Sequence, residues 1–286
     1  MRPLFLLGAH RSGTTLLQRL LNSLDDVIVW GEHEGVLSEV ARAYFRGAES
    51  PWLFTNVRPS KTDPRENWQA WLGALDPAGW DDAFRGLVQA LFPPLDPART
   101  RWWGFKEIRY GRTSDDRTVE FLGRLFPQAI FVFIVRHPLN ALASAYRAPE
   151  GPRRLADAAR VCRRWRTRYQ GFRDWHASGR LRSYWIVYED LVQGEGEIRR
   201  LLEDIGHAFG PAQAEVLAAE GGRGSSFRQP GAPAERWRVL PPSWRALAGH
   251  AVGPLAVGLG YTMPPVGLGW RLVAPLLWRW VDSADA

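Results

Sequence analysis

Apolar residues fall along this chain in short unbroken blocks separated by amphipathic stretches. Residues 4–8 form one such block, and others of similar length recur at 27–30, 102–106, 129–135 and 183–188. Blocks this short predict strands, buried on both faces where no polar residue alternates. Between them the apolar period changes. Leu16, Leu17, Leu20, Leu21 and Leu24 recur three and four apart after the first block, and Leu155, Ala158, Cys162, Trp165, Tyr169 and Phe172 do so across residues 152–178. Each set predicts an amphipathic helix. Because helical segments separate the strands, the chain reads as α/β, a single domain with a parallel β-sheet flanked by helices on both faces. Its ligand crevice is expected at the carboxyl ends of the strands.

Three regions stand outside this alternation. Residues 47–65, rich in Pro, Ser and Asp, read as a surface excursion. On the 152–178 helix, Arg160, Arg163, Arg164, Arg166 and Arg168 fall mostly off the apolar stripe and are expected to form a solvated basic face. The main domain is expected to span residues 1–262, with 263–286 as a C-terminal extension. That extension interleaves Trp270, Trp278 and Trp280 with Arg271 and Arg279, too short and too charged a run to span a bilayer. A helix packed on the domain is expected there, with weak contact to a membrane surface as the alternative.

Composition narrows the chemistry. The one cysteine, Cys162, excludes an intramolecular disulfide, and no Cys/His cluster offers a metal site. A reducing, cytoplasmic setting is expected, since the first apolar run is also too short for a signal-peptide core. The net charge is +7, from 37 basic and 30 acidic residues. Basic surfaces attract nucleic acid without specificity. Here the arginines are spread rather than blocked, so no specific nucleic-acid partner is expected, and the positive balance suits equally a pocket for a multiply charged nucleotide. The only lysines are Lys61 and Lys106.

The chemistry begins at Gly8-Ala9-His10-Arg11-Ser12-Gly13-Thr14-Thr15, which follows the first strand and opens the first helix. Its glycines have the spacing of a phosphate loop, GxxxxGK[ST], whose backbone N–H groups wrap a phosphate at a helix N-terminus. Thr14 stands where the lysine of nucleoside triphosphatases is found, and Arg11 restores one cation inside the loop. Those enzymes also want a carboxylate on a neighbouring strand end to hold magnesium. The apolar strand 129–135 ends instead in Arg136, a group for an anion.

The loop resembles the 5′-phosphosulfate loop of sulfotransferases that use 3′-phosphoadenosine-5′-phosphosulfate (PAPS), in the Arg-Ser-Gly-Thr-Thr form of many bacterial members and of tyrosylprotein sulfotransferases. Phe131-Val132-Phe133-Ile134-Val135-Arg136-His137-Pro138, with Ser144 eight residues after Arg136, is similar to their 3′-phosphate motif. The resemblance implies the phosphate-loop sulfotransferase fold and transfer of a sulfuryl group to an acceptor hydroxyl, leaving 3′-phosphoadenosine 5′-phosphate (PAP). It implies that His10, Arg11, Ser12, Gly13, Thr14 and Thr15 hold the 5′ end, and that Arg136 and Ser144 hold the 3′-phosphate. Ser225, Ser226 and Arg228 lie roughly where family members close over the nucleotide. The pair Glu189-Asp190, in a segment that recurs in the family, is read as structural. Tryptophans such as Trp52, Trp68, Trp71 and Trp80 are either core or the lining of an acceptor pocket.

Transfer between two oxygens requires cations along the axis and a base for the acceptor proton. Arg11 supplies one cation, and Lys106, at the end of the strand 102–106, matches a lysine that related families use as another. No metal is required by this scheme. For the base, Glu32, His33 and Glu34 follow the second strand. On extended backbone Glu32 and Glu34 share a face that His33 does not, which leaves the two carboxylates tied. The resemblance favours Glu32, because tyrosylprotein sulfotransferases use the glutamate of a Gly-Glu pair at this distance from the loop arginine. His33 departs from their pattern, which has a second acidic residue there. The competing role for Glu32 is to cap a helix beginning near Gly35. A phosphate-loop kinase, and a non-catalytic nucleotide- or nucleic-acid-binding protein, are the alternatives to a sulfotransferase, and the acceptor could be a carbohydrate, lipid, small natural product or peptidyl tyrosine.

Overall fold

The computed structural model describes residues 1–50, 77–111, 113, 115–219, 233–265 and 267–284. Its strands are β1 (Arg2–Gly8), β2 (Val27–Trp30), β3 (Trp102–Glu107), β4 (Ile130–Val135) and β5 (Arg182–Val187). All pair in parallel, in the order β2-β3-β1-β4-β5. Between and after them come α1 (Thr14–Leu21), α2 (Val36–Ala48), α3 (Pro77–Leu91), α4 (Thr118–Leu125), α5 (Pro138–Tyr146) and α6 (Leu155–Ala177). Then follow α7 (Tyr188–Leu191), α8 (Glu197–Asp204), α9 (Pro211–Ala219), α10 (Pro242–Gly258) and α11 (Leu268–Ala284).

Side chains alternate across a strand, so β1 serves two cores at once. Leu4 and Leu6 pack with Leu16, Leu17, Leu20 and Leu21 of α1 on one face. Phe5 and Leu7 pack on the other with residues of α2, α4, α6 and α10. Helices on both faces explain why β3 and β4 are buried along their whole length, while β5, at an edge, is only partly so. The chain leaves β1 for β2, fills the intervening slot with β3, and crosses to the other side for β4. The strand order thus reverses at β1, which opens a crevice at the carboxyl ends of β1, β3 and β4.

The stripe on α6 is buried from Ala158 to Phe172. Its arginines are less uniform than expected. Arg168 is buried, with Nε donating to the Tyr110 carbonyl at 2.7 Å, and Arg163 and Arg166 lie over the Trp278 ring of α11 at 5.6 and 5.3 Å. An arginine stem covers apolar surface well, so a basic run on a helix can be part of its packing. Ala274 and Trp278 seat α11, whereas Leu272 and Leu276 face outward. Among the described residues no helix is long and apolar enough to cross a membrane. Trp80 is half-buried and packs against the core, on Tyr44 and over Gly47. Trp52, Trp68, Trp71, most of the predicted excursion, and Ser225, Ser226 and Arg228 lie outside the described residues.

Candidate active site

The phosphate loop is held from within and from below. Gly13 adopts φ 95°, and a Cβ there would come within 2.2 Å of Tyr188 Cδ2, so only glycine fits both the backbone and the ring beneath it. Arg11 also has positive φ, 65°, which bends the loop where its side chain leaves it. Ser12 is fully buried and its hydroxyl donates to the Ala9 carbonyl at 2.7 Å. The Ser12 side chain therefore braces the loop from within. Thr14 is turned inward too, buried against the Gly8 backbone. His10 and Thr15 are exposed. The Ala9 N–H donates to the Tyr169 hydroxyl at 3.0 Å, and that hydroxyl donates to the Ile134 carbonyl at 2.8 Å, which ties the loop to β4. What the loop offers an anion is the N-terminal N–H groups of α1 and the Arg11 side chain.

Arg136 and Ser144 meet the loop from the β4 side. Ser144 accepts a hydrogen bond from Arg11 Nε at 3.0 Å. Arg136 Nη1 donates to the Arg11 carbonyl at 3.2 Å, and its guanidinium lies 4.3 Å from the centroid of Tyr188. Only 5% of Arg136 is exposed, yet its Nε and Nη2 have no hydrogen-bond partner among the described residues. Burial lowers its pKa from the ordinary arginine value. A buried guanidinium with two idle donors is costly. An anion such as a phosphate would satisfy both donors in the forked geometry that arginine favours.

A second cluster sits at the ends of β2 and β3. Lys106 Nζ donates to Glu32 Oε1 at 2.6 Å, and Arg109 Nη1 donates to Glu32 Oε2 at 3.0 Å. Arg109 Nη2 reaches Glu34 Oε1 at 2.8 Å, so the two carboxylates share one guanidinium. His33 turns the other way and its Nε2 meets the Tyr110 hydroxyl. Burial lowers the His33 pKa below the ordinary imidazole value, which favours the neutral ring. Glu32 caps no helix: α2 begins with Gly35 at its N-cap position and has no side-chain cap.

Glu107 organises this cluster, and the sequence reading passed over it. Its carboxylate is fully buried and accepts backbone N–H groups of His33 (3.0 Å), Gly35 (2.9 Å), Ile108 (2.8 Å) and Arg109 (3.1 Å). Arg109 Nη1 adds a charged bond at 3.0 Å. Burial alone would raise the Glu107 pKa, but these hydrogen bonds outweigh it and hold the group below the ordinary carboxylate value. The only signal in the sequence was its place at the end of an apolar strand. The ring of Tyr188 and the hydroxyl of Tyr169 were likewise missed as supports of the loop. Of the acidic pair, Glu189 accepts the His137 N–H and the Tyr261 hydroxyl, both at 3.2 Å, and so joins α5 to the segment after α10. Among the described residues no group of His, Cys, Asp or Glu is arranged to hold a metal ion.

A glycine loop between a buried strand and a helix, beside a buried arginine with two idle donors at the end of the neighbouring strand, places this chain among α/β proteins built on a parallel sheet. The chain belongs to the sulfotransferase family, whose model matches residues 3–211. Among solved structures it is similar to the sulfotransferase domain from the Synechococcus PCC 7002 olefin synthase, at 22% identity and a TM-score of 0.55, over 92% of this chain and 96% of that one. It is also similar to sulfotransferase STF9 from Mycobacterium avium, at 14% identity and a TM-score of 0.48, over 93% of this chain and 78% of that one. Comparison with curated proteins gives no match. The fold is thus that of sulfotransferases, as the loop and strand-end motifs implied.

Proposed function

We propose that this protein transfers the sulfuryl group of PAPS to an acceptor hydroxyl, and that the idle donors of buried Arg136 carry the choice of donor nucleotide. A second anion site at Arg136, set beside the loop, suits a nucleotide phosphorylated at both its 5′ and 3′ ends. It is out of place in a kinase or triphosphatase, where a metal-binding carboxylate would stand. Thr14 supports the same reading, because it is buried beneath the loop and leaves the lysine role of those enzymes unfilled.

PAPS supplies an activated sulfuryl group, and the protein's part is to position it and manage charge and proton. The α1 N-terminus and Arg11 would hold the 5′ end, and Arg136 with Ser144 the 3′-phosphate. Arg11 and Lys106 then flank the transfer axis as cations. In the Lys106–Glu32 pair, at 2.6 Å, cation and proposed base neutralise one another. Drawing Lys106 toward the anionic donor frees Glu32 Oε1 to accept the acceptor's hydroxyl proton, while Arg109 keeps the carboxylate in place. Calorimetry with PAP, ATP and a DNA duplex tests the reading. PAP binding that exceeds ATP binding is expected, with 35S transfer from PAPS to acceptor. ATP binding without PAP binding would favour a kinase, and salt-sensitive duplex binding alone a nucleic-acid-binding role.

A further inference from the structure

Behind the phosphate loop, between α5 and α6, lies a cavity of about 250 Å³. Ala141, Leu142 and Ala145 form one wall, and Val161, Cys162 and Trp165 the other. One end is closed by Ala9 and His10 of the loop and by Ile108, two residues beyond Lys106. The cavity therefore adjoins the loop and the end of β3, the two elements that carry Arg11 and Lys106. Its walls carry no carboxylate, and two arginines line it beside the apolar groups: Arg164, which is exposed, and Arg168, which is buried with Nε donating to the Tyr110 carbonyl at 2.7 Å. Trp165 is 4% exposed, and its buried Nε1–H has no hydrogen-bond partner among the described residues. A buried donor left idle is uncommon and calls for a partner.

The geometry points to an acceptor of a particular class: an alcohol with a short apolar body and a hydrogen-bond-accepting oxygen, such as an ester or ketone, set back from the hydroxyl. The apolar body fills the space between α5 and α6, the carbonyl oxygen answers Trp165, and the hydroxyl emerges beside His10 toward Glu32. At about 30 Å³ per water-sized group, the cavity holds roughly eight such groups, a chain or single ring rather than a steroid or an oligosaccharide. A larger groove of about 510 Å³ lies beyond Arg109, but it is lined by charged side chains. Its Arg42, Arg109 and Arg117 are already paired with Glu39, with Glu32, Glu34 and Glu107, and with Glu49 and Glu120. Arg46, Asp115 and Asp116 line it as well, so that groove is a charged surface and suits a polar acceptor better than an apolar one. In the reaction the acceptor oxygen forms a bond to sulfur, the bond from sulfur to the phosphate oxygen breaks, PAP leaves with that electron pair, and the proton passes to Glu32.

This inference rests on the sulfotransferase reading, and the test separates the two. Ethyl esters of ω-hydroxy acids of increasing length are offered with 35S-PAPS, alongside glucose and a tyrosine peptide, and ester binding is followed by saturation-transfer NMR. For the parent, kcat/KM is expected to rise about fourfold per added methylene until the cavity is full. Cys162→Leu and Ala141→Leu, which fill it from opposite walls, are expected to lower kcat/KM for the longer esters at least tenfold with PAP affinity unchanged. If PAP binds but glucose or the peptide is the preferred acceptor, or the esters neither bind nor react, the acceptor class is wrong and the sulfotransferase reading stands. Equal activity in the filled variants has the same meaning. Should a filled variant lose PAP binding through misfolding, the parent's chain-length profile decides, and a flat profile overturns the proposal. Failure of the parent itself to bind PAP sinks both.

Discussion

Replacing Arg136 by alanine tests the donor site from two directions at once. Among the described residues Arg136 donates at 3.2 Å to the Arg11 carbonyl, while its Nε and Nη2 have no partner. In the complex those two donors would each form a charge-assisted hydrogen bond to the 3′-phosphate, at about 1.5–3 kcal/mol apiece. Losing both weakens PAP binding by about 3–6 kcal/mol, on the order of 10²–10⁴-fold in Kd. The same change removes an under-partnered buried cation, so the ligand-free variant should unfold at nearly the same denaturant concentration as the parent. Titration calorimetry with PAP and with adenosine 5′-phosphate reads the result. The parent should prefer PAP strongly, and Arg136→Ala should bind the two nucleotides almost alike. A folded Arg136→Ala that keeps the parent's preference would refute the assignment, because the 3′-phosphate would then be read elsewhere.

Lys106→Ala should lower kcat more than it weakens PAP binding, since PAP lacks the sulfuryl group the lysine is proposed to meet; an undiminished kcat would leave Lys106 with only its pairing to Glu32. Glu32→Gln should cost transfer about 10²–10⁴-fold while PAP affinity holds, and a dead His33→Asn or Glu34→Gln beside an active Glu32→Gln would move the base to that residue. Glu107→Gln should lose about 1–3 kcal/mol of stability at pH 7 by weakening a buried hydrogen-bond cluster. Because the folded pKa of Glu107 is depressed, its contribution is full above the unfolded carboxylate value and lost as pH falls through the folded one. The gap between the urea midpoints of parent and variant should therefore hold above about pH 5 and close as the pH falls below about 4, and a gap that stays unchanged well below pH 4 would mean that the folded state does not favour the ionised Glu107.

The parts of this protein that were legible in the sequence are those in which neighbours along the chain act together. The β1–loop–α1 unit is contiguous, so its glycines, its flanking apolar block and its leucine period all point one way. Arg136 was legible because β4 is a plain apolar run and the residue ending it stands out. Glu107 was not, because its partners His33 and Gly35 come from a loop more than seventy residues earlier, and a glutamate at a strand end usually meets water. Tyr169 was assigned to the α6 stripe by its spacing and does sit there. Its hydroxyl, however, reaches a loop residue 160 positions away, which no periodicity encodes. Ser12 and Thr14 matched a motif by type, yet their side chains face inward, since a motif records residue identity and not direction.

The ring of Tyr188 lies under Gly13 and also against the guanidinium of Arg136. One aromatic plate therefore sets the spacing between the loop and Arg136, the two ends of the proposed donor site, and neither can drift without the other. For anyone wishing to retrain the proposed PAPS site on a cheaper donor lacking the 3′-phosphate, the two motifs are not separable modules. A change made to relax one end will be transmitted through the plate to the other, so productive variants will come in combinations that look harmful one at a time.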